Sequence, residues 1–274
     1  MHQFDSGRGL PMKKAALLIT LLGFLVVAPK ARAQDFDSEK AYQDYVYNLG
    51  IYRDTYSDYE KAKEFYLKNK TLTLKEEARK KTLAMLASRD ELERVYLSAI
   101  RMRLLETKVP TPDKLDSEIE WYKTHRQSYK DSDPLEDLFG KSKESEARYK
   151  TDTSVVIYNS LFGITLGEVG NLRVEQENIH KSIREKLDKN IAEGKLKIDP
   201  FNRWLTDIDL VIQNLKDNDE KAKKGIAKLY EGSYISPLSV YNSAVKPFVS
   251  STTLLTELNS FLTEFLTSLN NQLP

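Results

Sequence analysis

Tyrosines stand seven residues apart at positions 45, 52, 59 and 66, with Leu49 and Tyr56 at the intervening positions. A 3.5-residue period held over this length is what a helix needs to present one seam to a neighbour, and strands cannot use it. Tyr42 extends the row backwards, and Lys63 interrupts one register beside Ala62. A sequence that spends so many aromatic residues on a single helical row commits the whole region to helix packing. Those rings have two uses: they fill the seam with their hydroxyls at its edge, or Tyr45, Tyr52, Tyr56, Tyr59 and Tyr66 offer a stacking face for a glycan or peptide.

The same period continues downstream. Residues 74–106 carry Ala78, Met85, Leu92 and Ala99 on one row, with Leu83, Leu86, Leu97, Ile100 and Leu104 on the rows beside it. The short segment from Asn69 to Thr73 lets the chain reverse, which predicts an antiparallel hairpin. Pro110 and Pro112 end it, and a helix restarts at Thr111 or Asp113 with Leu115, Ile119, Tyr122 and Tyr129 on one face. Asp133-Pro134 followed by Glu136 reads as N-cap, N1 and N3 of the next helix.

Val155 to Tyr158 favour strand by composition, but the spacing of Leu161, Ile164, Leu166, Leu172, Val174, Ile179, Ile183 and Leu187 predicts one long helix ending near Gly194. Gly163, Gly167 and Gly170 imply a kink or a close neighbour. Asp199-Pro200 and Ser236-Pro237 repeat the start signal, and Gly232 is placed to stop the helix between them. Pro247 should kink or split the last segment, whose seam is Leu255, Leu258, Leu262, Phe265 and Leu269. The expected fold is all-α, an elongated antiparallel helical bundle of about five to seven helices with coiled-coil-like packing. The expected organisation is a signal segment over 1–33, a helical hairpin over 34–109 and a C-terminal bundle over 110–274.

The address is written at the front. Lys13 and Lys14 precede the uncharged run from Ala15 to Ala28, and Ala31-Arg32-Ala33-Gln34 supplies an A-x-A site, so cleavage is expected after Ala33. A run of this length reaches only about 21 Å, short of the roughly 30 Å hydrocarbon core. The alternative is an uncleaved N-terminal anchor, the sole membrane contact this reading allows. Of the 42 cations and 41 anions in the 274 residues, the first 33 residues hold Arg8, Lys13, Lys14, Lys30 and Arg32 against Asp5. The mature chain therefore has 37 cations against 40 anions, near −3. No polybasic footprint for nucleic acid remains. Although an exterior compartment permits disulfides, the chain has no cysteine, so packing alone must hold it together and thiolate chemistry is excluded.

Candidate chemistry is sparse. Glu177-x-x-His180 puts two ligands on one helix face, but a di-metal bundle needs a second such pair, and His125 has Tyr122 three residues earlier. Ser243-x-x-Lys246 matches the spacing of penicillin-recognising enzymes without the accompanying elements. Trp121 and Trp204 could floor a sugar site, though both sit at helical spacing among apolar residues. No catalytic residue, cofactor or metal is expected. The stretch Tyr56–Leu105, through the turn Tyr66-Leu-Lys-Asn-Lys-Thr-Leu-Thr73 and the helix around Met85-Leu-Ala-Ser-Arg-Asp90, resembles a group of exported, all-helical hypothetical bacterial proteins. The resemblance covers about a fifth of the chain and brings no activity or functional residues with it.

The functional expectation is an exported, non-enzymatic helical protein, extracytoplasmic, acting as an interaction or scaffold module of the cell envelope on an unidentified protein or envelope partner. The alternative is an extracytoplasmic ligand binder with a groove lined by tyrosine and tryptophan. Self-association into a homo-oligomer is open, because heptads alone do not choose between pairing within and between chains.

Overall fold

The computed structural model describes residues 38–232 and 236–273. Among them the fold is all-α: α1 Ser38–Asn69, α2 Leu72–Thr107, α3 Leu115–Gln127, α4 Leu135–Arg148, α5 Ser154–Ala192, α6 Asn202–Ala227, α7 Pro237–Ala244 and α8 Lys246–Gln272. A π-helical turn, Tyr149–Thr153, joins α4 to α5, and 3₁₀ turns at Asp199–Phe201 and Lys228–Tyr230 flank α6.

The reversal between α1 and α2 falls in the segment the sequence marks for it. Lys70 takes a left-handed φ of 46°, and the Thr71 hydroxyl accepts the Leu74 N–H at 3.3 Å to cap α2. At the other end Lys108 closes α2 with φ 59°, donating its N–H to the Leu105 carbonyl. The N-cap of α3 is Lys114, one to three residues later than expected, because its first turn forms only once Pro112 can supply a carbonyl to the Leu115 N–H. Pro134 rather than Asp133 occupies the N-cap of α4. The Asp133 carboxylate is taken by the Lys130 N–H at 2.9 Å and the Lys141 ammonium at 2.6 Å, so it closes the preceding turn instead.

α2 is the shared strut of the molecule. It packs against α1 on one side and against α3, α4 and α5 on others. Its buried residues include Met85, Leu86, Leu97, Ile100 and Leu104. The larger apolar core lies among α5, α6, α7 and α8, where Leu187, Phe201, Ile208, Leu215, Leu258, Phe265 and Leu269 are almost fully buried. Pro247 splits the C-terminal segment into α7 and α8, and the whole Leu255-to-Leu269 seam of α8 is buried. On the other face of α8 the hydroxyls of Thr252, Thr256, Ser260, Thr263 and Thr267 each donate to the carbonyl four residues earlier. That back-bonding satisfies a Ser/Thr-rich face within its own helix.

Gly163 and Gly167 mark a close approach of α5 to the end of α2. A Cβ at Gly167 would sit 2.6 Å from Val109 Cγ2 and 2.8 Å from Thr107 Cβ, whereas one at Gly170 would meet nothing within 4 Å. Gly194, at φ 71°, closes α5 two residues past its end. No helix of the described residues is long and apolar enough to cross a membrane.

Candidate functional site

Where α2, α3 and α4 meet, the helical seams carry polar residues. On α2 the alternating three- and four-residue steps run Leu83, Leu86, Asp90, Glu93, Leu97, Ile100, Leu104, so two carboxylates occupy seam positions. On α3 the same steps run Leu115, Glu118, Tyr122, His125, and lead to Tyr129 two residues past the helix end. Helix packing therefore buries Asp90, Glu93, Glu118 and His125, and α4 adds the buried Ser145.

Asp90 is the centre of this cluster. It is fully buried, and both its oxygens accept: His125 Nδ1 lies 2.6 Å and the Tyr129 hydroxyl 2.8 Å from Oδ2, while Ser145 Oγ lies 3.2 Å and Arg89 Nε and Nη2 both 3.3 Å from Oδ1. A buried carboxylate without such partners would cost several kcal/mol. Arg89 also donates to Ser142 Oγ at 3.2 Å, tying α2 to α4. The His125 ring is stacked on Trp121 at 4.5 Å and meets the edge of Tyr129 at 5.3 Å, and the Arg148 guanidinium lies over the Trp121 indole at 5.5 Å. Trp121 and His125 are four apart on one face of α3, and Tyr129, four further on, follows just past the helix end.

His125 Nε2 is buried and makes no hydrogen bond; Glu144 Oε2 lies 3.8 Å away. An aspartate holding a histidine by Nδ1 is the positioning half of a nucleophilic relay. The active half requires a hydroxyl or thiol within about 2.6–3.2 Å of Nε2, and here the nearby group is a carboxylate. The cluster as it stands locks three helices together.

A second polar knot lies alongside. Arg148 forms a fork on the fully buried Glu118, with Nη2 on one oxygen and Nε 3.3 Å from the other. The Thr153 hydroxyl reaches Glu118 at 2.7 Å, and Tyr122 and Thr153 share a hydrogen bond of 3.1 Å. Thr153 belongs to the π-helical turn, so that irregular turn places its hydroxyl on Glu118. Glu93, by contrast, sits among aromatic rings. Burial pushes its carboxyl up to about 7, Asp90 pushes in the same direction, and Arg89 opposes. Burial first and then the Glu93 charge raise Tyr45; burial raises Tyr52, with Arg89 opposing and Tyr56 and then Glu93 adding to it, and burial raises Tyr96, Tyr122 and Tyr149 as well.

The tyrosine row of α1 lies along α2. Tyr45, Tyr52, Tyr56, Tyr59 and Tyr66 are all half-buried. Tyr45 packs on Tyr96 at 5.1 Å, and Tyr52, Tyr56 and Tyr59 pack against Met85, Leu86 and Leu138. Between these rings Thr55 and Ser88 share a 2.6 Å hydrogen bond across the two helices. Trp204 stacks on Phe265 at 6.2 Å within the C-terminal core. Glu177 is taken by Arg173 at 3.5 Å and Lys216 at 3.4 Å, and His180 Nδ1 lies 3.9 Å from Asp209. Burial lowers the His180 pKa, with Asp209 opposing. Among the described residues no three His, Cys, Asp or Glu side chains converge as a metal ion requires. Ser243 and Lys246 are both exposed at the α7–α8 junction. The cleavage-site residues Ala31, Ala33 and Gln34 lie outside the described residues.

The sequence reading missed Asp90, Glu93, Glu118 and Ser145. The signal was present as charge at seam positions, where an apolar row of three- and four-residue steps should continue. Compared with protein-family models, curated proteins and solved structures, the chain matches none of them.

Proposed function

We propose that this chain is an exported, non-enzymatic helical protein that works through its surface as an interaction or scaffold module of the cell envelope. The observation that carries the reading is the placement of α1. A helix of 32 residues packs against α2 and against no other helix to a comparable extent, leaving a long outer face to solvent. On that face Tyr47 is 71% exposed and Phe65 57%, with Val46, Ile51 and Leu67 also exposed. The tyrosine row already packs the hairpin, so the contact surface is the opposite side of the same helix. The basic, apolar and A-x-A segments of the first 34 residues support export, with Gln34 as the mature N-terminus.

Fractionation of cells making the full-length chain with a C-terminal tag, with mass spectrometry of its N-terminus, tests the address. The reading expects Gln34 as the first residue and recovery outside the cytoplasm. A cytoplasmic chain with an intact N-terminus would sink it, as would turnover of a glycan, peptide or ester panel by the purified protein.

A further inference from the structure

His125 stands between two carboxylates from two different helices. Asp90 of α2 holds Nδ1 at 2.6 Å, and Glu144 of α4 has Oε2 3.8 Å from Nε2, just beyond hydrogen-bonding reach. A carboxylate only accepts, so Nδ1 carries a hydrogen in either charge state of the ring, and Nε2 is the position that gains or loses one. Neutral, that nitrogen is a buried acceptor with no hydrogen-bond partner. Protonated, it is a donor that faces an acceptor, because the Glu144 side chain is 63% exposed and has room to turn towards it.

The elements packed around the ring bring charges of both signs. From α2 come Asp90 and Arg89, with Glu93 one turn along, and Arg89 sits on the Asp90 oxygen that His125 does not use, at 3.3 Å. From α4 come Glu144, Lys141, which lies over the Tyr129 ring at 5.7 Å, and Arg148, over the Trp121 indole at 5.5 Å. On α3 itself Arg126 is taken by Glu91 at 3.0 Å. Each nearby cation is therefore engaged with another group, whereas the two carboxylates address the ring nitrogens themselves. Trp121 stacks on the imidazole at 4.5 Å and 12°, and a cation over an indole face is favoured within about 6 Å.

We infer that His125 is a proton-operated latch for α4: when Nε2 takes up a proton, Glu144 turns in to accept it, and one imidazolium then ties α2 to α4. Without that proton the polar ties between the two helices at this level are Ser145 to Asp90 and Ser142 to Arg89. Imidazole is the side chain whose ordinary proton exchange falls between pH 5 and pH 8, so the added tie is present on the acid side and is lost as pH rises. The π-helical turn that follows α4 places the Thr153 hydroxyl on Glu118, so the latch also bears on the second polar knot.

The test uses 15N-labelled protein recovered from cells expressing the full-length chain. Proton–nitrogen correlation spectra of the imidazoles, from about pH 4 to about pH 9, read His125 directly, with His180 as internal reference. Nδ1 should keep its hydrogen throughout, and Nε2 should gain one as pH falls. Glu144→Gln alters an exposed side chain and should weaken the proton affinity of His125 about twofold to fivefold, the range an exposed ion pair supplies. Glu146→Gln, on the same helix but paired with Lys150 at 2.6 Å, should leave His125 where it is. By hydrogen exchange, corrected for its intrinsic pH dependence, residues 135–148 should be protected about twofold to fivefold more at pH 5.5 than at pH 8. That difference should be lost in Glu144→Gln and kept in Glu93→Gln, which separates the latch from the titration of Glu93. An Nε2 without hydrogen down to about pH 4, a proton affinity that Glu144→Gln leaves unchanged or Glu146→Gln moves as far, or an α4 whose exchange ignores pH would each overturn it.

Discussion

Asp90 and Glu93 sit three residues apart on the same helix row, yet their surroundings make them opposites. Asp90 collects four donor side chains from three directions, so truncating a partner leaves charge or a polar group buried and unmatched. His125→Ala should therefore lower stability by about 3–5 kcal/mol, read as a shift in the denaturant midpoint, and a change under 1 kcal/mol would show that the pair is not structurally engaged. Glu93 has aromatic rings where Asp90 has donors. It holds its proton more tightly in the folded chain, at about 7, than at its ordinary 4.5. The folded state thus binds more protons than the unfolded state between those values, and stability from this group is lost as pH rises from about 4.5 through about 7. Glu93→Gln removes that loss: the variant should gain on the parent by about 2–4 kcal/mol between pH 5 and pH 8. Parallel stability curves for the two proteins would refute the assignment.

At the scale of elements, most of the fold was legible because its signals are local. The heptad tyrosines, the reversal after Asn69, the proline-marked starts and the long helix chosen over a strand at Val155–Tyr158 all follow from period and backbone chemistry. What escaped was non-local. Asp133 looked like a cap because its spacing to Glu136 is right, and only Lys141, eight residues on, takes the carboxylate away. Ile119 looked like the packing residue of α3, but the buried row is Leu115, Glu118, Tyr122 and His125, because α4 and the π-helical turn bring partners for the polar groups. The glycines of α5 were legible as a pair of alternatives, and the contact of Gly167 with Val109 and Thr107 decides for close packing. Two substitutions on this one helix should therefore differ in sign. Gly167→Ala forces α5 away from the end of α2 and should cost about 1–3 kcal/mol. Gly170→Ala meets nothing and should gain about 0.4–1 kcal/mol. Thermal melts of both variants check the pair, and equal shifts would mean that the close approach is absent.

Across the whole molecule, stability is unevenly distributed. The helices α5 to α8 share one continuous apolar core, and α2 is held by four neighbours, but α1 is held mainly by α2, largely through rings that are only half-buried. Local opening draws on the elements with fewest buried contacts, so α1 should be the first helix to separate. Glu93 places a titrating group under that same helix, beside Tyr45 and Tyr52. Ionising it while it is covered is costly, and lifting α1 lets water reach the charge. Opening of α1 should therefore become easier as pH rises through about 7, while the C-terminal core keeps its protection. Hydrogen exchange followed by mass spectrometry at pH 6 and pH 8, corrected for the intrinsic pH dependence of exchange, should show residues 38–69 gaining exchange relative to residues 202–227. In Glu93→Gln that gain should vanish. If α1 exchanged as slowly as α6 at both pH values, the hairpin would be part of the same cooperative unit as the core, and a helix that never lifts would be a fixed platform for whatever docks on its outer face.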